Sequence, residues 1–330
     1  MKKWLSVILA AAMLTGLCAC GNTSGQGNAS GGENSEEIEH PSSLVICASN
    51  SGNIWYSCAV KLSELLMREF PDMSVTVVEG GGDPNIDAVN AGTDAQLGFT
   101  SSTSLLPAFA GTNENVQDCS NVAALMSVQV SYAQTAVLAD SDIHSYTDLA
   151  GKRVAAGTYG QVAMYTMDAI LESYGMSAAD LAGGEYQVAS SSEYPDLFAD
   201  GHLDACHING NFPLATLVQI DSTDPIRLLQ LSEDAIDYIL EKYPSFYTVD
   251  VEANQYQGQT DPMTLLAYDG MLMANKDLPG EFLARVVELV AESGDELFDR
   301  GTWENCGTFI TEDNTVPEVY SLLKEKGSVQ

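Results

Sequence analysis

Basic side chains are scarce. Thirteen Lys and Arg stand against 46 Asp and Glu, a formal net charge of −33 at pH 7. Such a surface repels nucleic acid and anionic lipid, which excludes both as partners. An anionic ligand is not excluded, because screening over about 8 Å lets the loops around a ligand outweigh the distant surface. Histidine is scarcer still: His40, His144, His202 and His207 are the only four. His202 and His207 lie five apart across an expected strand, so they point to opposite faces and make a poor metal pair. Neither a Gly-x-Ser-x-Gly elbow, a His-Glu-x-x-His pair nor a Gly-Lys-Ser loop occurs, and Asp140 and Asp142 lack the glycine of a calcium loop. The expectation is a protein that is not an enzyme and takes no metal or cofactor.

The amino terminus reads as an export signal. Lys2 and Lys3 form its charged start, and Leu5 to Leu17 is apolar except for Ser6, Thr15 and Gly16, too short a run to stay in a bilayer. Leu17-Cys18-Ala19-Cys20-Gly21 resembles a bacterial lipobox, which implies cleavage before Cys20 and a lipid on that residue. Loss of Lys2 and Lys3 leaves 11 basic residues against 46 acidic, a net −35. Asn22 to His40 is mostly Gly, Ser, Asn and Glu, with Ile38 its one large apolar residue, so it reads as a tether with a mean reach of roughly 25 Å. The expected localisation is extracytoplasmic, lipid-anchored to the outer face of the cell membrane.

Of seven cysteines, Cys18 leaves with the signal and Cys20 carries lipid. Cys47, Cys58, Cys119, Cys206 and Cys306 remain; five cannot all pair, and none has metal-ligand spacing. They read as small buried hydrophobes, with one disulfide left open by an oxidising compartment. The body, Pro41 to Gln330, holds 290 residues, which suits two lobes better than one. The expected domains are a signal peptide at 1–19, a tether at 20–40, lobe I at 41–137 plus 251–330, and lobe II at 138–250.

One pattern organises the body. Leu44 to Ala48 is a strand-like apolar run; Ser49 to Asn53 is a loop of small polar residues; Ile54 to Glu69 then carries a helical stripe at Cys58, Ala59, Leu62, Leu65 and Leu66. The pattern recurs. Val75 to Val78 runs through Gly80–Asn85 into a helix, with Asp83 read as N-cap and Pro84 at the first helical position. Leu97 to Thr100 runs through Ser101 to Ser104 into a short helix ending at Ala110. Val122 to Leu138 is a long β-rich run suited to passing between lobes. Beyond it, Arg153 to Ala156 leads through Gly157 to Gln161 into a helix reaching Tyr174, and a strand through Ile208 leads through Asn209 to Pro213 into another. Ile226 to Leu231 reads as a further strand, Thr264 to Ala274 as a return strand, and Glu281 to Phe298 as an amphipathic helix packing on the first lobe. This repetition is the signature of an α/β fold whose loops gather at the carboxyl edge of a mainly parallel sheet.

A strand that turns through small residues into a helix aims free N–H groups at one point, where oxygens of a ligand are attracted. The candidate ligand residues therefore lie in five loops: Ser51, Gly52 and Asn53; Gly82, Asp83 and Asn85; Ser101, Ser102 and Thr103; Gly157, Thr158, Tyr159, Gly160 and Gln161; and Asn209. None of these loops contains Lys or Arg, so a ligand carboxylate would rest on N–H groups and hydroxyls. Asp83 is the one charge among these loops, either neutralising a ligand ammonium or capping its helix toward solvent. Trp55, Tyr56, Tyr159 and Phe212 either line the cleft or pack in the core. Gln161 and Asn209 either contact the ligand or tie loops together.

Several motifs in order give the chain a wider likeness, from Leu44 to Phe298. They are Ser51-Gly52-Asn53-Ile54-Trp55-Tyr56, Asp148-Leu149-Ala150-Gly151-Lys152-Arg153-Val154, Gly201-His202-Leu203-Asp204-Ala205 with Gly210 and Pro213 beyond, Tyr243-Pro244, and Tyr256-Gln257-Gly258. In these the chain resembles the TAXI proteins, the extracytoplasmic solute receptors of one class of TRAP transporters. The resemblance implies a two-lobed, type II periplasmic-binding-protein fold with the ligand cleft between the lobes. It also implies capture of a small solute by closure and delivery to a TRAP-type membrane permease. Members of the family are associated with glutamate, glutamine and related dicarboxylates. This chain departs from the family's loops at Asn53 to Trp55, at Asp83 and Asn85, and at Gly160 to Ala163. With Asp83 among them, an amino-acid-like zwitterion or cation is expected rather than a bare dicarboxylate. The alternative is a binding lipoprotein of an ABC importer or of a sensor kinase.

Overall fold

A computed structural model of the chain describes residues 38–51 and 53–329. The export signal, Cys20, most of the tether and Gly52 lie outside the described residues. In chain order the elements are β1 (Ser43–Cys47), α1 (Ile54–Glu69), β2 (Ser74–Val78), α2 (Gly82–Ala91), β3 (Leu97–Ser101), α3 (Ser102–Phe109), β4 (Val122–Leu138), β5 (Val154–Ala155), α4 (Val162–Ser173), α5 (Tyr194–Ala199), β6 (Ala205–Gly210), α6 (Ala215–Thr223), β7 (Ile226–Leu228), α7 (Glu233–Lys242), β8 (Tyr247–Val251), β9 (Met263–Asn275), α8 (Gly280–Ala291) and α9 (Pro317–Glu325).

The strands form one sheet in the order β2-β1-β3-β9-β4-β6-β5, with β7 on β4 and β8 on β9. The βα repeats give parallel pairs at both ends: β1 with β2, β1 with β3, and β5 with β6. Between them run the two long strands, β4 and β9, antiparallel from Val122↔Asn275 to Tyr132↔Ala267. Residues of β4 up to Val128 and of β9 from Met271 pack in one hydrophobic core with α1, α2, α3, α8 and α9. From Ala133 onward in β4, and up to Tyr268 in β9, they pack in two further cores with α4 to α7. The two long strands thus carry the chain from one body of core to the other.

Local sequence explains the elements. The α1 stripe, Cys58, Ala59, Leu62, Leu65 and Leu66, is buried as its spacing predicts; each large member contributes roughly 1.5–3 kcal/mol by leaving water. In α8, Leu283, Val286, Val287 and Val290 do the same against the first core. That helix stops at Ala291, short of the expected Phe298, because Gly294 turns the chain at φ +61°. Strand β7 ends at Leu228 rather than Leu231, since the chain then feeds the Ser232 cap of α7, whose hydroxyl accepts from Ala235 N at 3.2 Å. Helix α2 begins at Gly82 with Gly81 as N-cap, so Asp83 sits in the first turn and is not the cap. Gly82 enters at φ +51°, a conformation that favours glycine over aspartate.

Ile38 and His40, tether residues by composition, pack on the body: His40 and Phe70 ring centroids lie 4.5 Å apart. The five described cysteines are all free thiols. Burial pushes Cys47, Cys58 and Cys206 up to about 12, which leaves them unreactive small hydrophobes. The Asp148–Val154 and Gly201–Ala205 motifs fold onto each other: the Asp204 carboxylate accepts from Arg153 N at 2.7 Å, Nε at 2.9 Å and Nη2 at 2.6 Å. Among the described residues no helix is long and apolar enough to cross a membrane.

Candidate functional site

The predicted loops divide by how they terminate. Helices α1 and α3 supply their own caps. Asn53 Oδ1 accepts from Trp55 N at 2.9 Å, and Ser101 Oγ from Ser104 N at 3.1 Å. Those two side chains hold the starts of their own helices. Asn85 is held within the protein. It is buried, its amide donates to Ala48 O at 2.6 Å and Phe99 O at 2.7 Å, and its Oδ1 accepts from Gly81 N at 2.9 Å. It ties together the ends of β1, β2 and β3. Ser51 is exposed and donates its N–H to Glu79 at 3.0 Å. Trp55 is buried in the first core, its indole lying against the backbone of Gly270 in β9, and Tyr56 packs half-buried beside the same core.

Helices α2 and α4 begin without a side-chain cap; their N-cap residues are Gly81 and Gln161. At the first, the Asp83 carboxylate is held by Asn113 Nδ2 and Asn115 Nδ2, each at 3.0 Å, and Gly82 O accepts from Thr100 Oγ1 at 3.2 Å. At the second, Gln161 folds back to accept from Thr158 N at 3.1 Å, and Gly157 N donates to Tyr194 OH at 2.7 Å. Tyr159 is 74% exposed beside Gly160, and so is free of the core. Tyr165, one turn into α4, has its phenol pushed up first by burial and then by the charge of Asp83. Asp83 sits in the first turn of α2 on one body of core, and Tyr165 in the first turn of α4 on the other.

Between them, side chains near the middle of the long strands join the two bodies. Ser102, fully buried, donates its hydroxyl to Ser245 O at 3.0 Å and accepts from Asp269 N at 3.2 Å; Thr103 is buried, its hydroxyl 2.8 Å from that of Ser101. Gln134 Nε2 donates to Asn211 O at 2.9 Å, and Gln129 donates to the Asn211 side chain at 2.5 Å. Phe212 packs its ring 5.8 Å from both Tyr132 and Tyr256. Asn209 donates to Thr166 Oγ1 at 3.0 Å. Arg300, from the segment after α8, pairs with the buried Asp269 at 3.2 Å and lies 5.2 Å over the Tyr247 ring. Burial raises the Asp269 carboxyl despite that partner. Sequence reasoning missed Arg300, Tyr165, Ser245 and Gln129, which stand outside the Gly- and Ser-rich loops. The one signal for Gln129 was its polarity within the apolar run of β4.

The arrangement offers hydrogen bonds, the Asp83 carboxylate steadied by two amides, and aromatic faces. No group of three or more His, Cys, Asp or Glu able to hold a metal occurs among the described residues.

The fold is that of the type II periplasmic binding proteins. PhnD1 from Prochlorococcus marinus (MIT 9301), solved in complex with methylphosphonate, matches with a TM-score of 0.52 at 11% identity, over 87% of this chain and 99% of PhnD1. The alkanesulfonate-binding protein SsuA from Xanthomonas axonopodis pv. citri, bound to MOPS, gives 0.49 at 20% identity, over 87% of this chain and 85% of SsuA. At 11% identity the likeness to PhnD1 is one of fold. Residues 46–301 match the sequence model of the NMT1-like family, and the chain belongs to that family.

Proposed function

We propose that this chain is an extracytoplasmic solute receptor. It captures a small polar solute between its two bodies of core and delivers it to a membrane permease of the TRAP type, held at the outer face of the membrane through Cys20. The observation that carries this reading is the pair of helix starts without a side-chain cap, one on each body of core: α2 with Asp83 in its first turn, and α4 after Gln161. A carboxylate suits the N–H groups in the first turn of α4 at Val162 and Ala163, and an ammonium suits Asp83. That combination favours an amino-acid-like zwitterion. Ligand contacts on both bodies stabilise a closed form by their differential affinity.

The protein is a carrier and not a catalyst in this reading. Cys47, Cys58 and Cys206 are buried and stay protonated, so none of the three supplies a ready nucleophile.

A thermal-shift screen of amino acids, dicarboxylates and polyamines on the chain without its signal, followed by small-angle scattering with each hit, tests the proposal. Stabilisation with a smaller radius of gyration is expected. Binding without compaction removes the closure account, and import that requires ATP assigns the receptor to an ABC importer instead.

A further inference from the structure

The face of β6 beneath α4 carries a polar row that the receptor reading leaves unexplained. His207 and Thr135 are direct cross-strand neighbours, and Asn209 stands two residues further on the same face, opposite the small Ala133. Tyr146 OH donates to Thr135 Oγ1 at 3.0 Å, nearer than its second acceptor Leu229 O at 3.4 Å, and on that assignment the threonine proton is left for His207 Nδ1, 2.8 Å away. The imidazole therefore carries its own proton on Nε2. That N–H is fully buried and meets no acceptor among the described residues. The amide of Asn209 is oriented by the same logic. Thr166 donates to Val162 O at 2.8 Å, so its oxygen can only accept, and Asn209 must offer it the Nδ2 hydrogen at 3.0 Å. Asn209 Oδ1 then faces away from Thr166 and meets no donor. The side chain lies close enough to weigh on the His207 ring, yet the two do not align as a hydrogen bond.

We propose that His207 Nε2–H and Asn209 Oδ1 form a subsite for a neutral group that both donates and accepts, a hydroxyl or primary carboxamide, on the solute. A carboxylate would satisfy only the histidine and an ammonium only the asparagine, each leaving one buried polar atom unmatched. Approach is from the carboxyl end of β6, where Asn209 is only partly buried and the Asn211–Phe212 loop begins. The subsite is tied to the first turn of α4 through Thr166, and it rests on the reading that this cleft takes a solute.

The test uses an isosteric pair of probes, acetamide and acetate, on the 15N-labelled chain without its signal. Acetamide is expected to shift the His207 Nε2 and Asn209 Nδ2 resonances saturably, with an affinity roughly tenfold or more above that of acetate. Asn209→Leu is expected to abolish the discrimination. Equal or stronger effects of acetate, or an unmoved His207 resonance, overturn the inference. So does a long-range 15N spectrum placing the proton on Nδ1, which needs no variant and no ligand. If the solute screen yields compaction while acetamide leaves His207 untouched, the subsite fails and the receptor reading stands. Should acetamide discriminate while no solute compacts the chain, the reverse holds.

Discussion

Arg153 and Asp204 join two sequence motifs that lie fifty residues apart. The carboxylate accepts from the arginine's backbone N–H and from both Nε and Nη2, at 2.6–2.9 Å. The guanidinium also reaches Gly201 O in the turn before β6. This knot fixes β5 against β6, whose register begins at Val154↔Ala205, and so sets where the Gly157–Gln161 and Asn209–Phe212 loops emerge. Asp204→Ala leaves the Arg153 N–H and guanidinium without this partner. The expected cost is about 1–3 kcal/mol, held to that range because both side chains are about a third exposed. Urea unfolding measures it; Asp204→Asn should recover part, since the amide oxygen still accepts.

Trp55 and Gly270 set a second constraint. A Cβ on Gly270 would stand 2.7 Å from Trp55 Nε1 and 3.3 Å from Cε2, and an indole in a packed core has little room to retreat. Gly270→Ala should therefore destabilise by about 1–3 kcal/mol and move the indole toward water. Thermal unfolding together with a red shift of tryptophan emission checks both parts. Unchanged emission with normal stability would show that the ring does not lean on β9.

These two contacts mark what was legible in the sequence. The repeated strand, small-residue loop and helix were readable because each part has a local signature: the stripe of α1, the glycines after β2, the serines after β3. The passing strand 122–138 and the return strand 264–274 were readable as long β-rich runs. What those loops do was less legible. Asn53, Asn85 and Ser101 have side chains suited to ligands and to caps alike, and only the fold shows them committed to caps and loop ties. Arg300 was invisible as a site neighbour because nothing local tells an arginine 31 residues past Asp269 that it will return to pair with it. Tyr165 stood inside the helix read as reaching Tyr174, and nothing local set it apart from its neighbours there.

Asp83 carries the predicted preference for an ammonium-bearing solute. Its two oxygens each take one amide hydrogen, from Asn113 and Asn115, which holds the carboxylate in place while leaving lone pairs for another donor. Asp83→Asn keeps the size and removes the charge. For any zwitterionic hit from the screen, affinity should fall about tenfold or more, roughly 1.4 kcal/mol, by titration calorimetry. Tyr165→Phe, which removes the hydroxyl and keeps the ring, should cost less if the ring contributes by its face. Tight binding of a plain dicarboxylate that is indifferent to Asp83→Asn would remove the assignment.

His207 gives stability a pH dependence with a definite sign. Burial lowers its folded-state value from 6.5 to about 3, with Asn209 opposing the shift. Between those values the unfolded chain binds a proton that the folded chain refuses. The neutral ring's contribution is therefore complete above about pH 6.5 and is lost as pH falls toward 3, at about 1.4 kcal/mol per unit. Many carboxylates titrate in the lower part of this window, so the native protein alone does not isolate the effect. His207→Gln cannot take up the proton, and the difference between the two proteins cancels the carboxylates they share. Urea midpoints measured from pH 7 to 4 should show the native protein losing stability faster than the variant by that one-proton slope. Parallel curves would mean that the ring takes up its proton in the folded state as readily as in the unfolded chain, and the lowered folded-state value would have to be given up.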